Sequence, residues 1–193
     1  MRRPFFNRAL RILLATSGAV MLAGAMLGPI YALFVEEIGG DLLDASLTGS
    51  IFALAAGLTT LVAGRIADRV KREELIIAGG YAVMGIGYFL YLLVDSIWTL
   101  FAVQVVIGFA EASFFPAYDA LYSRHMALKK AGTEWGTWEA LSYFATAAGA
   151  LAGGIIASLY GFPVIFLLMG TLCLLAAFFM AVTPRDVFYT EAT

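Results

Sequence analysis

Five long stretches of the chain contain no charged side chain, and this pattern restricts the fold more than any other feature of the sequence. The stretches are 12–35, 45–64, 75–94, 96–110 and 140–184. A membrane-spanning helix needs about 20 apolar residues, and the last stretch can hold two such helices, with a break at Tyr160-Gly161-Phe162-Pro163. Membrane β-strands would instead alternate over only about ten residues. We therefore predict an all-α membrane protein in which residues 1–193 form one domain, with spans at about 9–36, 44–65, 74–94, 97–122, 135–159 and 162–183.

Composition also favours a membrane protein, and the first residues do not indicate a cleaved leader. Only 13% of the residues are charged, whereas 62% are hydrophobic, and a soluble domain needs more polar surface.

The arginines before residue 12 resemble the start of a signal peptide. The apolar run that follows is too long for a signal peptide, so we interpret it as the first span. The lone Cys173 excludes an internal disulfide.

The basic residues predict the orientation of the chain in the membrane. Six spans place both ends of the chain on one side, and all twelve Lys and Arg residues fall on that side. Basic residues are enriched in the cytoplasmic loops of membrane proteins. We therefore expect an inner-membrane protein with both termini in the cytoplasm. The basic residues are Arg2, Arg3, Arg8, Arg11, Arg65, Arg69, Lys71, Arg72, Arg124, Lys129, Lys130 and Arg185.

Short sequence matches link the first three spans to the last three. Pro29-x-Tyr31 in span 1 matches Pro116-x-Tyr118 in span 4. The sequence FALAAG at 52–57 in span 2 matches FATAAG at 144–149 in span 5. Because three is an odd number of helices, the second triplet would run inverted in the membrane. The order of the matches predicts two inverted three-helix repeats, which are a building plan of secondary transporters.

Four motifs in order resemble those of the major facilitator superfamily. The loop GRIADRVKR at 64–72 resembles the G-x-L-A-D-R-x-G-R signature between helices 2 and 3 of that family, with Lys71 in place of a glycine. The other three motifs lie in spans 4 and 5 and at the start of span 6. The motif in span 4 is Gln104…Gly108…Pro116-Ala117, and many members have Arg at the position of Gln104. The motif in span 5 is Gly149…Gly153-Gly154, with Ala150 in place of a proline. The motif at the start of span 6 is Gly161-Phe162-Pro163…Phe166. The resemblance covers the whole chain as one six-helix half.

The resemblance implies a cytoplasmic gate in the loop between spans 2 and 3. In the family, the Asp of this loop faces the positive N-terminal end of a helix in the other half, and the Arg pairs with acids near the end of helix 4. Asp68 would therefore face helix 5 of a partner near Thr133, and Arg69 would lie near Asp119. The expected gate residues are Gly64, Asp68, Arg69, Arg72 and Asp119.

The resemblance also raises the question of the second half, because full-length members have twelve helices. Two copies of a six-helix half can lie side by side, related by a twofold axis along the membrane normal. A closed C2 homodimer would rebuild the transporter. The alternatives are a complementary half encoded elsewhere and a truncated fragment of a longer transporter.

Polar residues within the spans predict a cavity. Intramembrane carboxylates are costly and commonly mark transport pathways. Helical spacing places Gln104, Glu111 and Tyr118 on one face of span 4. Glu111 is either a cavity residue that binds solute or a proton, or a buried protonated carboxyl bonded to span 1. Spans 1 and 5 add Tyr31, Glu139, Ser142 and Thr146, where Glu139 fits a cavity or a gate equally well. Spans 3 and 6 have almost no polar residues in mid-span, so we expect them to face lipid more than the others.

Together these features predict a half-size secondary transporter that works as a homodimer by alternating access, with proton coupling as an option. The sequence has no nucleotide-binding motif, no His–acid metal cluster and no activated nucleophile, so we predict neither an enzyme nor a cofactor. The expected partners are a second copy, the bilayer and a small-molecule solute, with no nucleic acid. The absence of intramembrane bases favours cationic, neutral or amphipathic solutes. A non-transporting membrane interaction protein is the alternative.

Overall fold

The computed structural model describes residues 7–189, and in this range every regular element is helical. Six helices are long and apolar enough to cross a membrane, as predicted from the uncharged runs. We name these helices α1 to α6, and a final turn of helix α7. Their bounds are α1 Arg8–Glu37, α2 Leu42–Ala67, α3 Glu73–Leu93, α4 Ile97–His125, α5 Ala131–Tyr160, α6 Phe162–Val182 and α7 Asp186–Tyr189. Arg2 and Arg3, which belong to the predicted basic side of the chain, lie outside the described residues.

Several helix starts are fixed by polar caps that satisfy the free N–H groups of the first turn. Asn7 accepts a hydrogen bond from the Leu10 N–H over 2.8 Å at the start of α1. Asp41 and Asp44 accept each other's backbone N–H groups over 2.9 and 3.0 Å before α2. Gly161 ends α5 with φ +79°, a conformation that favours glycine. These local signals explain why the uncharged runs became separate helices.

The helix bounds differ most from the predicted spans around the connection between α4 and α5. We expected span 4 to end at 122 and span 5 to begin at 135, but α4 continues to His125 and α5 begins at Ala131. Glu134 accounts for the tight connection. Its carboxylate accepts the Ala127 N–H over 2.9 Å, and its carbonyl accepts the Tyr122 hydroxyl over 2.7 Å.

The bundle has two outer helices packed on a core of four. α2 packs along α4, α5 packs along α1, and α3 packs against both α4 and α6. Two close approaches require glycine. A Cβ on Gly108 would lie 2.5 Å from the Phe52 carbonyl oxygen, and a Cβ on Gly153 would collide with the Met26 carbonyl oxygen. The α2–α4 and α1–α5 pairs are therefore in backbone contact.

Burial within the chain differs strongly between the helices. In the most apolar 18-residue windows, 50% of α3 and 44% of α6 is buried, against 11% of α2 and 17% of α5. α3 and α6 lie close together because small residues meet between them, and a Cβ on Gly85 would lie 3.0 Å from the Gly170 carbonyl oxygen. Burial inside one chain does not separate surface that faces lipid from surface that faces a partner, so the expectation that spans 3 and 6 face lipid stays a prediction.

Both ends of the described chain lie at one end of the bundle, which we call the terminal face. It comprises Asn7, the loop 68–72, the connection 126–130 and α7. Asn7 donates a hydrogen bond to the His125 carbonyl over 2.9 Å, and Tyr189 bonds to the first residue of α3.

Candidate functional site

Two adjoining cavities lie between the helices. Cavity A, of about 280 Å³, is lined by α1, α3, α4 and α5. Cavity B, of about 410 Å³, is lined by α1, α2, α3, α4 and α6. They share four lining residues, Gly24, Gly28, Tyr88 and Glu111. The cavities are therefore neighbouring parts of one candidate solute path.

Glu111 lies on α4 where the two cavities meet. Its side chain is half-buried, and within residues 7–189 it has no hydrogen-bond or ion-pair partner. The alternative in which this carboxyl bonds to α1 is therefore not observed. Burying a carboxyl without a partner is costly, so Glu111 is the residue of the cavity with the greatest need of a proton or a cationic ligand.

Gln104 is held in cavity B by two tyrosines. It is buried, and its Nε2 donates hydrogen bonds to the Tyr91 hydroxyl over 3.1 Å and to the Tyr31 hydroxyl. Since Tyr31 comes from α1 and Tyr91 from α3, the amide ties three helices together beside the cavity. Gln104 and Tyr31 thus lie at the cavity wall with their polar groups already paired.

Tyr118 connects α4 to α1 at the wall of cavity A. Its hydroxyl donates a hydrogen bond to Ser17 Oγ over 3.0 Å. Ser142 and Thr146 line the same cavity from α5, whereas Glu139 is exposed and lines neither cavity. The structure thus brings six of the seven predicted cavity residues to the two cavities and leaves Glu139 outside them.

Three residues of the wall of cavity A were missed by sequence reasoning. Tyr81 and Tyr88 reach it from α3, and Trp138 reaches it from α5. Within residues 7–189, the Tyr81 hydroxyl and Trp138 Nε1 are buried without a hydrogen-bond partner. The spacing of the two tyrosines, seven residues apart on one helix face, was a signal that could have identified them.

Comparison with known proteins assigns this six-helix bundle to a family. The profile of the Major Facilitator Superfamily matches residues 13–192, which is almost the entire chain. The chain belongs to the Major Facilitator Superfamily. It is therefore a multi-pass membrane protein of a transporter family, and the family points to transport rather than to enzymatic catalysis.

Curated relatives of the chain are transporters, and the match covers less than half of each. Multidrug resistance protein MdtG of Proteus mirabilis is 24% identical over 83% of this chain and 40% of its own length. Multi-drug resistance efflux pump PmrA of Streptococcus pneumoniae is 31% identical over 77% of this chain and 38% of its own. The uncharacterized MFS-type transporter MJ1560 of Methanocaldococcus jannaschii is 23% identical over 91% and 45%. The chain thus spans about two fifths of the length of the superfamily relatives that it matches.

The expected gate contact of the superfamily is absent from the described part of the chain. Arg69 and Asp119 are both exposed, and within residues 7–189 neither forms an ion pair within 4.0 Å. The prediction that Arg69 lies against Asp119 is therefore not met in this conformation. Asp68 is also exposed, and a Cβ on Gly64 would meet no atom within 4 Å. Asp68 and Arg69 of the loop are thus exposed, and Arg69 does not pair with the Asp119 carboxylate of α4.

A different ionic cluster occupies the terminal face. Arg124 at the end of α4 forms an ion pair with Glu73, and Arg72 pairs with Glu74 over 2.9 Å. Tyr189 approaches both carboxylates, at 2.5 Å for Glu73 and 2.6 Å for Glu74. Burial, together with its hydrogen bonds to Glu73 and Glu74, raises the pKa of the Tyr189 hydroxyl. Of this cluster, only Arg72 was among the predicted gate residues.

Proposed function

We propose that this chain forms one half of a secondary transporter that is completed by a second copy, and that the six helices act as one unit. The observation that carries this proposal is the partnerless Glu111 at the junction of two cavities within a superfamily bundle. Such a carboxyl can accept a proton or a cationic solute in one state and release it in the other, which is the requirement for alternating access.

The exposed faces of α2 and α5 support the second copy. Each carries a stripe of large apolar side chains at helical spacing, with more than half of each side chain exposed. On α2 these are Leu54, Leu58 and Leu61, and on α5 they are Phe144, Leu151, Ile155 and Leu159. In a C2 arrangement, α2 of one copy would face α5 of the other, and the cavities of both copies would meet at the axis. A different second half, from another chain or from a longer form of this one, would cover the same faces.

The packing pattern supports an inverted repeat. α2 packs on α4 as α5 packs on α1, and α3 packs on α4 as α6 packs on α1. If α1, α2 and α3 are exchanged with α4, α5 and α6, the α2–α4 pair becomes the α5–α1 pair, and the α3–α4 pair becomes the α6–α1 pair. We propose that the two triplets are inverted repeats, and that the basic terminal face lies in the cytoplasm as the distribution of Lys and Arg indicates.

The cavity chemistry favours an apolar or cationic solute. Its lining combines one carboxyl with aromatic rings, and among the described lining residues of both cavities there is no Lys, Arg or His. Aromatic faces and a carboxylate together suit organic cations. Two of the relatives are named for multidrug resistance, which agrees with this solute class. We propose proton exchange at Glu111 as the coupling step.

Two measurements test the proposal. Native mass spectrometry from lipid nanodiscs should give a dimer of the 20.7 kDa chain, whereas a strict monomer would exclude the homodimer. In proteoliposomes, uptake of the lipophilic cation tetraphenylphosphonium driven by a pH gradient should fall at least about tenfold in Glu111→Gln. The matched control is Glu37→Gln, which neutralises an exposed acid at the end of α1. Unchanged uptake in a folded Glu111→Gln dimer would remove Glu111 from the mechanism.

A further inference from the structure

A third concavity lies on the outside of the bundle, between α1 and α6. This α1–α6 groove has a volume of about 550 Å³ and is separate from cavities A and B. Most of its wall is aliphatic or aromatic, and its one hydroxyl, on Thr16, is already bonded to the Ile12 carbonyl over 2.9 Å. The wall residues are Ile12, Ala15, Thr16, Ala19, Leu172, Leu175, Ala176 and Phe179, with Arg8 and Arg11 at the end nearest the terminal face.

The two arginines carry charge that the described part of the chain does not neutralise. Arg8 and Arg11 are three residues apart and therefore lie on the same face of α1. Both are exposed, and within residues 7–189 neither has a carboxylate within 4.0 Å. Among the acids of the terminal face, Glu73 pairs with Arg124 and Glu74 pairs with Arg72. Asp68 and Asp186 are exposed, and within residues 7–189 neither forms an ion pair with Arg8 or Arg11.

The length of the groove matches one leaflet of a bilayer. From Arg8 to Ala19, α1 rises about 16 Å at 1.5 Å per residue. Half of a hydrocarbon core of about 30 Å is about 15 Å. With the arginines at headgroup level, the apolar wall therefore reaches approximately to the middle of the membrane.

We propose that the α1–α6 groove binds one anionic phospholipid. The phosphate of the headgroup lies between the guanidinium groups of Arg8 and Arg11, and one acyl chain lies along the wall. Guanidinium groups bind phosphate oxygens through paired, charge-assisted hydrogen bonds, and basic pockets between membrane helices are suited to anionic headgroups. The bound lipid holds α1 against α6. This site does not depend on the homodimer or on the solute.

Lipid titration followed by native mass spectrometry tests the site. The purified chain is titrated with dioleoylphosphatidylglycerol and, separately, with dioleoylphosphatidylcholine, which has the same acyl chains. We expect the first phosphatidylglycerol molecule to bind more tightly than the first phosphatidylcholine. The double variant Arg8→Gln/Arg11→Gln should weaken phosphatidylglycerol binding by roughly 10- to 30-fold, from the contribution expected for two basic residues near anionic lipid.

Two further variants separate a site from general surface charge. Arg65→Gln/Lys71→Gln removes the same charge from exposed positions outside the groove, and should change phosphatidylglycerol binding less than about twofold. Ala15→Phe fills the groove and leaves its charge intact, so this variant should also weaken phosphatidylglycerol binding. If Ala15→Phe does not fold, Leu175→Ala, at an exposed position of the groove wall, is used in its place. Equal losses in the two charge variants, or full binding after either groove variant, would overturn the proposal.

Discussion

Tyr189, the last described residue, donates a hydrogen bond to Glu73 at the start of α3, with 2.5 Å between the hydroxyl and Oε2. The same hydroxyl accepts the Glu73 N–H over 3.0 Å and lies 2.6 Å from Glu74 Oε2. A hydroxyl has one proton, so it donates to one carboxylate at a time. The contact joins residues 116 positions apart and fixes α7 to the start of α3.

Removing this hydroxyl should weaken the fold. Tyr189→Phe keeps the ring but leaves the buried Glu73 and Glu74 carboxylates with one donor fewer. We expect the free energy of unfolding to fall by about 1–2 kcal/mol, measured by denaturant unfolding in detergent. Tyr160→Phe, at an exposed tyrosine on α5, is the control and should have no effect. Equal stability of Tyr189→Phe and the unmodified chain would show that the contact contributes nothing.

The raised pKa of Tyr189 predicts a dependence on alkaline pH. Because the pKa of the Tyr189 hydroxyl is higher in the folded state than in the unfolded state, the protonated hydroxyl stabilises the fold. This contribution is complete at pH values below the unfolded-state pKa of about 10. That contribution is lost as the pH rises above about 10. The unmodified chain should therefore lose more stability than Tyr189→Phe between pH 9 and pH 11. Parallel losses in the two proteins would contradict this assignment.

The two glycines at 153 and 154 should respond differently to substitution. A Cβ at Gly153 would collide with the Met26 backbone, whereas a Cβ at Gly154 would meet no atom within 4 Å. We expect Gly153→Ala to cost about 1–3 kcal/mol because α1 and α5 must move apart. Gly154→Ala should be neutral or slightly stabilising in the helix. Thermal unfolding of the two variants compares them directly, and similar melting temperatures would mean that α1 and α5 are not in backbone contact.

The helices and one face of the cavity could be predicted from the sequence because both depend on local periodicity. Uncharged runs identified the six spans, and helical spacing on α4 brought Gln104, Glu111 and Tyr118 to the cavity walls. These inferences required only the geometry of a single helix.

Contacts between distant segments could not be predicted in this way. α7 is only four residues long, too short to show a period, so nothing in the sequence indicated that Tyr189 would bond to Glu73. The roles of Tyr81 and Tyr88 were missed because we judged α3 by its few polar residues, whereas its glycines allow close packing on α4 and α6. For example, a Cβ on Gly80 would lie 2.6 Å from the Phe114 Cβ.

Gln104 and Tyr91 should be energetically coupled. Replacing Gln104 with Leu removes the donor to the Tyr91 and Tyr31 hydroxyls, and Tyr91→Phe removes one of its acceptors. In a double-mutant cycle of unfolding free energies, we expect a coupling of roughly 0.5–1.5 kcal/mol between positions 104 and 91. The matched pair Gln104→Leu and Trp98→Phe, at an exposed position on the same helix, should show additive effects. Additivity in both cycles would argue against the hydrogen bond.

The proposed homodimer predicts a specific cross-link between α2 and α5. Leu58 lies ten residues before Asp68 on α2, and Tyr143 lies ten residues after Thr133 on α5, so both lie about 15 Å from the terminal face. Both side chains are exposed within the single chain. Cys173 is first replaced by Ala, and Leu58→Cys and Tyr143→Cys are made in separate copies. Oxidation of the mixed copies in membranes should then give a disulfide-linked dimer. Leu58→Cys mixed with Ile86→Cys, on the exposed side of α3, should give none. If only that control pair or neither pair cross-links, α2 of one copy does not face α5 of another.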